Sequence, residues 1–328
     1  MAITMKQIAV LADVSTATVS KIINGRDEHI SQATRDKVLQ IIEKHQFSPN
    51  TIAKGLRVKK TSTIGFVLPD ITNPFFPEIA RGIEDVANQN GFAVVFCNTD
   101  NKAEREQECV SFLQSKMVDG LIFTRAIRTS FFEKYLSKNI PTVIVDRDVN
   151  TAGSAIGKVY TDTMAAVFEA TQLLLSKGCK RVGFISAMST SQSDRYNGYL
   201  HALEENGLPL DESIVYREHY SAETGYRGAR EIMRNAKLDG IVCGNDLIAA
   251  GAMQAIRQTG LQIPNDVRII GVDNIYFSKF LYPPLTTIEQ PAYEMGAAAA
   301  KMLINHILHG MTMREEKLDY KLILRDTV

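Results

Sequence analysis

The sequence predicts a small all-α head followed by an α/β body made of two Rossmann-like parallel-sheet lobes. Residues 1–47 contain short helical patterns, whereas from Thr63 onward short β-branched or aromatic runs alternate with helical patterns. The chain has 328 residues, which is enough for two or three hydrophobic cores. We expect a head at residues 1–47, a linker at 48–61 and a body at 62–328.

The head contains two helical patterns around a tight turn. Apolar residues recur at helical spacing between Met5 and Ala12 and again between Val19 and Ile23. Ser15 is in position to cap the second helix, and a third helix should start at Ser31. These are features of a helix-turn-helix. Helical patterns alone do not exclude a three-helix bundle without a DNA role.

One face of the second helix carries the side chains expected of a DNA-reading surface. Thr16, Ala17 and Ser20 are short, so the helix backbone could approach base edges closely. Lys21 lies one turn further on and would donate to guanine or phosphate.

The linker predicts a short, weakly stable helix. Ser48 would cap it and Pro49 would occupy its first position, but the helix has only about two turns and contains Gly55. We expect it to fold on binding DNA. Leu56, flanked by Lys54 and Arg57, has the properties of a minor-groove wedge. The alternative for Leu56 is an ordinary core contact.

Charge is unevenly distributed along the chain. Residues 1–60 contain ten Lys or Arg against five Asp or Glu, a net charge of +5. Because the whole chain has a formal net charge of zero, the remainder carries −5. A basic head on an acidic body suggests that only the head meets a polyanion. The alternative is that these basic residues form a solvent-exposed face that binds no polyanion.

The body pattern predicts a parallel sheet in each lobe. Strands are expected at 63–68, 93–97, 120–123, 142–145, 181–185, 240–243 and 267–272, with a last strand near 320–324. Helices are expected at 76–88, 104–115, 165–176, 196–205 and 247–259, and residues 286–290 look like a return crossing between the lobes. The first lobe should comprise about 62–159 and 289–318, and the second about 160–288 and 319–328.

Polar and aromatic residues cluster just beyond the expected strand ends, where open parallel sheets bind ligands. They are Asn73, Phe75, Phe76, Asp146, Arg147, Arg195, Asn245, Asp246, Asp273 and Gln290. Aromatic rings with carboxylates, amides and guanidinium groups suit a sugar. Each residue has a simpler alternative: Asn245 and Asp273 could cap helices, the two Phe could be core, and Asp146-Arg147 could be an exposed ion pair.

The chain resembles the lactose/galactose repressor (LacI/GalR) family over essentially its whole length. In the head and linker the matching motifs are Ala12-x-Val14-Ser15, Thr18-Val19-Ser20-x-x-x-Asn24-Gly25 and Pro49-Asn50-x-x-Ala53-x-x-Leu56. In the body they are Thr63-Ile64-Gly65, 70–76, 120–122, Asn245-Asp246, Gly271-x-Asp273 and 284–290. Together these motifs are highly specific, although no single one is.

The resemblance implies a DNA-binding surface in the head and linker. Its expected residues are Thr4, Ser15, Thr16, Ala17, Thr18, Ser20, Lys21, Asn24, Asn50, Ala53, Lys54, Leu56 and Arg57. Two positions depart from the family pattern. Asp13 occupies a turn position where Gly is usual. Lys21 stands where Arg is common, and this predicts a different base preference because Lys lacks the planar guanidinium group that donates two parallel hydrogen bonds.

The resemblance also implies a periplasmic-binding-protein-like body with an effector between its lobes. The cleft resembles that of ribose-type repressors, and the expected effector-binding residues are Asn73, Phe75, Phe76, Asp146, Arg147, Arg195, Tyr220, Asn245, Asp273 and Gln290. A pentose such as ribose is favoured. A sugar acid is the alternative, because Arg147 and Arg195 could both face a carboxylate.

The functional prediction is a sugar-responsive repressor that acts as a homodimer on a pseudo-palindromic operator. The sequence contains no P-loop, no Gly-x-Gly-x-x-Gly and no Gly-x-Ser-x-Gly motif, and we expect neither an enzyme nor a bound cofactor or metal. The absence of a long apolar run or a signal pattern favours a cytoplasmic, nucleoid-associated protein without a membrane partner. Two alternatives are control by a phosphoprotein co-regulator and a sugar receptor without DNA function.

Overall fold

The head is built from three helices around one small apolar core. The computed structural model describes residues 3–47, 60–124, 140–146, 156–188 and 194–328, and the chain divides into two units at Thr61/Ser62. The head helices are α1 (Met5–Ala12), α2 (Thr16–Ile23) and α3 (Gln32–Lys44). Their buried residues are Ile8, Ala9, Ala12, Val19, Ile22 and Val38.

Each head helix begins with a capping hydroxyl. The side chains of Thr4, Ser15 and Ser31 accept hydrogen bonds from backbone amides of the following turn, at 3.3, 3.0 and 3.3 Å. This satisfies donors that have no partner within the helix. Asp13 ends α1 with φ 57° and ψ 49°, a left-handed conformation. That backbone explains why glycine is usual here, and Asp is one of the few other residues that adopt it readily.

Within the described residues, the body contains two six-stranded sheets. The strands are β1 (Thr63–Leu68), β2 (Ala93–Asn98), β3 (Gly120–Thr124), β4 (Thr142–Val145), β5 (Ile156–Thr161), β6 (Val182–Ala187), β7 (Val215–Glu218), β8 (Gly240–Cys243), β9 (Arg268–Asp273), β10 (Thr286–Glu289), β11 (Glu315–Leu318) and β12 (Lys321–Ile323). The first sheet has the order β11-β5-β4-β3-β1-β2 and the second β12-β10-β9-β8-β6-β7. All their pairings are parallel except β10 with β12.

Helices cover both faces of each sheet. They are α4 (Phe75–Gln89), α5 (Ala103–Ser115), α6 (Thr163–Ser176), α7 (Asp194–Glu205), α8 (Ala222–Asn235), α9 (Asp246–Gln258) and α10 (Ala292–His309). In the first lobe α4 and α10 form one layer and α5 lies on the opposite face. In the second lobe α8 with α9 and α6 with α7 form the two layers. Sheets buried on both faces explain the nearly continuous apolar strands.

The expected strands and helices are confirmed to within two residues at either end. Three further strands were not predicted, because they carry no apolar run. β7 and β11 are partly exposed edge strands, and β5 alternates buried with half-buried residues. Residues 286–290 were expected to be a crossing between the lobes, and residues 286–289 of this segment form strand β10. β5 extends to Thr161 and β10 to Glu289, slightly beyond the expected lobe boundaries. No helix of the described chain is long and apolar enough to cross a membrane.

Candidate functional site

A cleft lies at the carboxyl ends of strands from both lobes. It is lined by Pro69, Asp70, Asn73, Phe75, Phe76, Asn101, Asp146, Arg195, Tyr220, Asn245 and Asp273. The first lobe contributes residues from the loops after β1, β2 and β4 and from the start of α4. Residues at the ends of β8 and β9 and at the start of α7 contribute from the second. Parallel strands bring their carboxyl ends to one edge, so residues distant in sequence converge there.

A buried ion pair forms the centre of the second-lobe wall. Arg195 donates to the Asp273 carboxylate at 3.3 Å and to the carbonyl oxygen of Gly244. Gln290 donates to the same Asp273 oxygen at 2.8 Å. Although burial disfavours its charged form, the pKa of Arg195 lies above its usual value because Tyr220, Asp273 and Asp146 stabilise the cation. The guanidinium therefore stays charged and holds the carboxylate in place.

The Arg195 guanidinium also lies over an aromatic ring. Its central carbon is 5.4 Å from the centre of the Tyr220 ring, within the range of a cation–π contact. On the first lobe, the Phe75 and Phe76 rings pack edge to face with 5.4 Å between their centres. Both rings are largely buried and belong to the core of that lobe. They therefore serve as core residues and as a wall of the cleft.

Two cleft carboxylates sit on unusual backbone. Asp146 has φ 77° and Asp273 has φ 105°. Such conformations are uncommon for residues other than glycine, and they concentrate at sites where function fixes the side-chain direction. The positions directly after β4 and at the end of β9 thus aim both carboxylates at the cleft edge.

Asn245 and Asp246 have separate structural roles. Asn245 caps α9 by accepting from the amide of Ile248 at 2.9 Å, and it also lines the cleft. The capping alternative and the cleft placement are therefore both observed for this residue. Asp246 is fully buried and does not line the cleft. It accepts hydrogen bonds from the Ile275 amide, Ser278 and Thr287.

Most of the expected effector-binding residues converge. Asn73, Phe75, Phe76, Asp146, Arg195, Tyr220, Asn245 and Asp273 line one cleft. Gln290 does not line it but contacts Asp273, and Arg147 lies outside the described residues. Sequence reasoning missed Pro69, Asp70 and Asn101. The strand-end rule that predicted the other residues applies to these three as well, because each lies within three residues of the end of β1 or β2.

The head places the expected DNA-reading side chains on one helix. Thr16, Ala17 and Lys21 are exposed on α2, and Thr18 and Ser20 are half-buried. Thr4 and Ser15 act as helix caps, and Asn24 donates from its side chain to the carbonyl of Ser20 at 2.6 Å. The expected linker residues Asn50, Ala53, Lys54, Leu56 and Arg57 lie outside the described residues.

A three-helix head with a capped second helix, followed by a two-lobed α/β body, is the architecture of a DNA-binding transcriptional regulator. Residues 4–50 match the family described as bacterial regulatory proteins, lacI family. Residues 61–325 match periplasmic binding proteins and sugar binding domain of LacI family. The chain belongs to the LacI family, whose members are transcriptional regulators, not enzymes.

Two similar transcriptional regulators match essentially the whole chain, and a solved structure matches most of it. The transcriptional regulator RegA of Clostridium saccharobutylicum is 36% identical, over 100% of this chain and 99% of RegA. The ribose operon repressor of Halalkalibacterium halodurans is 36% identical, over 99% of this chain and 96% of the repressor. A LacI-family regulator from Enterococcus faecium, solved with bound ribose, is 31% identical with a TM-score of 0.73, over 81% of this chain and 98% of that one.

Proposed function

We propose that this protein is a homodimeric repressor of a carbohydrate operon, and that a pentose bound in the cleft controls its affinity for operator DNA. The observation that carries the proposal is the convergence of eight expected residues on one cleft in a chain with a helix-turn-helix head. In the head, Thr16, Ala17 and Lys21 would face base edges in the major groove. In the linker, Leu56 would enter the minor groove.

The charge of the cleft favours a neutral sugar over a sugar acid. Asp70, Asp146 and Asp273 line it, whereas Arg195 already forms an ion pair with Asp273. A carboxylate on the ligand would meet more negative than positive charge among these described residues. Hydroxyl groups, by contrast, would donate to carboxylates and accept from Asn73 and Asn245.

A pentose is favoured among neutral sugars. The Halalkalibacterium relative is a ribose operon repressor, and the Enterococcus faecium structure contains ribose. Phe75 and Phe76 would cover the apolar C–H face of such a ring, and Asp146, Arg195 and Asp273 would share its hydroxyls.

Homodimer formation is supported by an aromatic patch on the second lobe. Tyr276, Phe277, Phe280 and Tyr282 are exposed to 63%, 56%, 64% and 78%. A cluster of large exposed apolar side chains is typical of an interaction surface. A dimer would also present two heads to the two halves of a pseudo-palindromic operator.

A gel-shift experiment tests the proposal. We expect the full chain to shift the DNA upstream of its own gene, and we expect a pentose to change that shift at lower concentration than hexoses or sugar acids do. Asp273→Ala should keep the DNA shift and lose the sugar response, because the carboxylate shared by Arg195 and Gln290 is removed.

The matched control is Glu204→Ala, which removes an exposed carboxylate from α7 of the same lobe. It should respond to sugar as the unmodified chain does. A DNA shift that no sugar alters would contradict sugar control and favour a phosphoprotein co-regulator. Failure to shift any DNA would contradict the proposed role of the head.

A further inference from the structure

A chain of hydrogen bonds connects the cleft to the segments that join the two lobes. The Thr161 hydroxyl donates to the Oε1 atom of Gln290, and the Gln290 amide nitrogen donates to Asp273 at 2.8 Å. Arg195 donates to the same Asp273 oxygen at 3.3 Å. All four residues are buried. Thr161 is 129 positions away from Gln290 in sequence, so only the tertiary structure brings them together.

Thr161 and Gln290 occupy neighbouring crossings between the lobes. Thr161 ends β5 of the first sheet, and the chain then enters α6 of the second lobe. Gln290 follows β10 of the second sheet, and the chain then returns to α10 of the first lobe. Their hydrogen bond therefore ties one outgoing and one returning segment together.

The Gln290 amide has a hydrogen-bond partner at each end, the Asp273 carboxylate at its nitrogen and the Thr161 hydroxyl at its oxygen. An amide has one acceptor end and one donor end, and its orientation follows from the partners on each side. Because the Asp273 carboxylate can only accept, the amide nitrogen must face it, and the amide oxygen then receives the hydrogen bond that the Thr161 hydroxyl donates. The reversed amide would aim its oxygen at the Asp273 carboxylate and leave two buried acceptors facing each other.

We propose that Thr161 is a positioning residue for the cleft: by fixing the Gln290 amide, it holds the Asp273 carboxylate and the Arg195 guanidinium in the arrangement that binds the sugar. The inference rests on the proposed function for its affinity readout, but the amide orientation itself does not depend on any ligand. Thr161 would thus contribute to sugar affinity without lining the cleft.

Calorimetric titration of the full chain with D-ribose tests the affinity readout. We expect Thr161→Val, which keeps the side-chain shape and removes the hydroxyl, to weaken D-ribose binding about tenfold. Thr161→Ser should restore it. The matched control is Thr171→Val, because the buried Thr171 hydroxyl donates only to the Val167 carbonyl within α6. The control should bind D-ribose as the unmodified chain does.

Side-chain amide NMR tests the orientation without a ligand. The Gln290 amide signals are assigned by their loss in Gln290→Leu. We expect them to shift and to exchange faster with solvent in Thr161→Val, but not in Thr161→Ser or Thr171→Val. Unchanged Gln290 signals, or unchanged D-ribose affinity in Thr161→Val, would overturn the inference. If the unmodified chain binds no D-ribose, the proposed effector fails and the NMR result alone decides the role of Thr161.

Discussion

At the scale of single residues, the buried carboxylate of Asp246 organises one edge of the second lobe. It sits at the start of α9 and accepts from Ile275 at 2.9 Å and from Thr287 at 2.5 Å, as well as from Ser278. Burial raises the pKa of this carboxyl to about 7, although its hydrogen bonds act in the opposite direction. Burial therefore raises the pKa of Asp246 by more than the three hydrogen bonds together lower it.

This pKa predicts a pH-dependent stability. An unfolded Asp has a pKa of about 4. Between about pH 4 and 7, Asp246 is therefore protonated in the folded chain and ionised in the unfolded chain. Asp246 therefore contributes stability that is present below about pH 4 and is lost as the pH rises through 7. The slope contributed by this single group is at most about 1.4 kcal/mol per pH unit.

Urea unfolding at several pH values, followed by circular dichroism, measures that slope. We expect Asp246→Asn to flatten the pH dependence of the unfolding free energy between pH 4 and 7, because the amide does not titrate. An equal slope in Asp246→Asn and the unmodified chain would assign the pH dependence to other groups.

At the scale of secondary-structure elements, glycines allow pairs of helices to touch backbone to backbone. A Cβ atom on Gly251 of α9 would lie 1.8 Å from the Ala222 carbonyl oxygen at the start of α8. A Cβ on Gly225 of α8 would lie 1.9 Å from the Ile248 carbonyl oxygen of α9. The same arrangement joins α4 with α10 through Gly82 and Gly296. These contacts fix the spacing of the layers that carry cleft residues.

Gly251→Ala is expected to destabilise the body despite the higher helix propensity of alanine. Alanine gains about 1 kcal/mol in a helix, whereas forcing two helices apart costs about 1–3 kcal/mol or more. Because the blocking atom belongs to the backbone, we expect the steric cost to exceed the gain in helix propensity. Gln254→Ala, at an exposed position of α9, should change the unfolding free energy by less than about 0.5 kcal/mol. Equal urea midpoints for the two variants would show that the helices separate at no cost.

At the scale of the whole molecule, the proposed function requires that sugar binding in the body change DNA binding by the head through the linker. We propose that the linker at residues 48–61 contains a short, marginal helix that folds on DNA, so that a small change in the body would shift a nearly balanced equilibrium. Any such coupling is reciprocal: a sugar that weakens operator binding is itself bound more weakly when operator is present.

Leu56→Ala tests the role of the linker. We expect operator affinity to fall at least tenfold, because the variant lacks the side chain that would unstack a base step. D-ribose affinity measured without DNA should not change. Leu39→Ala is the matched control, since Leu39 is a 45% exposed leucine on α3 of the head. Unaltered operator affinity in Leu56→Ala would show that the Leu56 side chain does not act as a minor-groove wedge.

Much of the cleft was predictable because local rules act at strand ends. Asn73, Asp146, Asn245 and Asp273 each follow or end an apolar strand, and parallel strands align those ends. Asp70 and Asn101 follow the same rule and were overlooked. Thr161 carried no comparable signal, because it lies in an alternating strand without an apolar run.

The sequence by itself determined the parts: the capped head helices, the alternation of strands and helices, and the residue types available at each strand end. These follow from hydrophobic period, capping and turn chemistry, which act over a few residues. The tertiary structure alone decided which of those residues meet. The Thr161–Gln290 bond, the burial that raises the pKa of Asp246 and the close contact at Gly251 all join segments distant in sequence, and burial and packing depend on neighbours that no local pattern specifies.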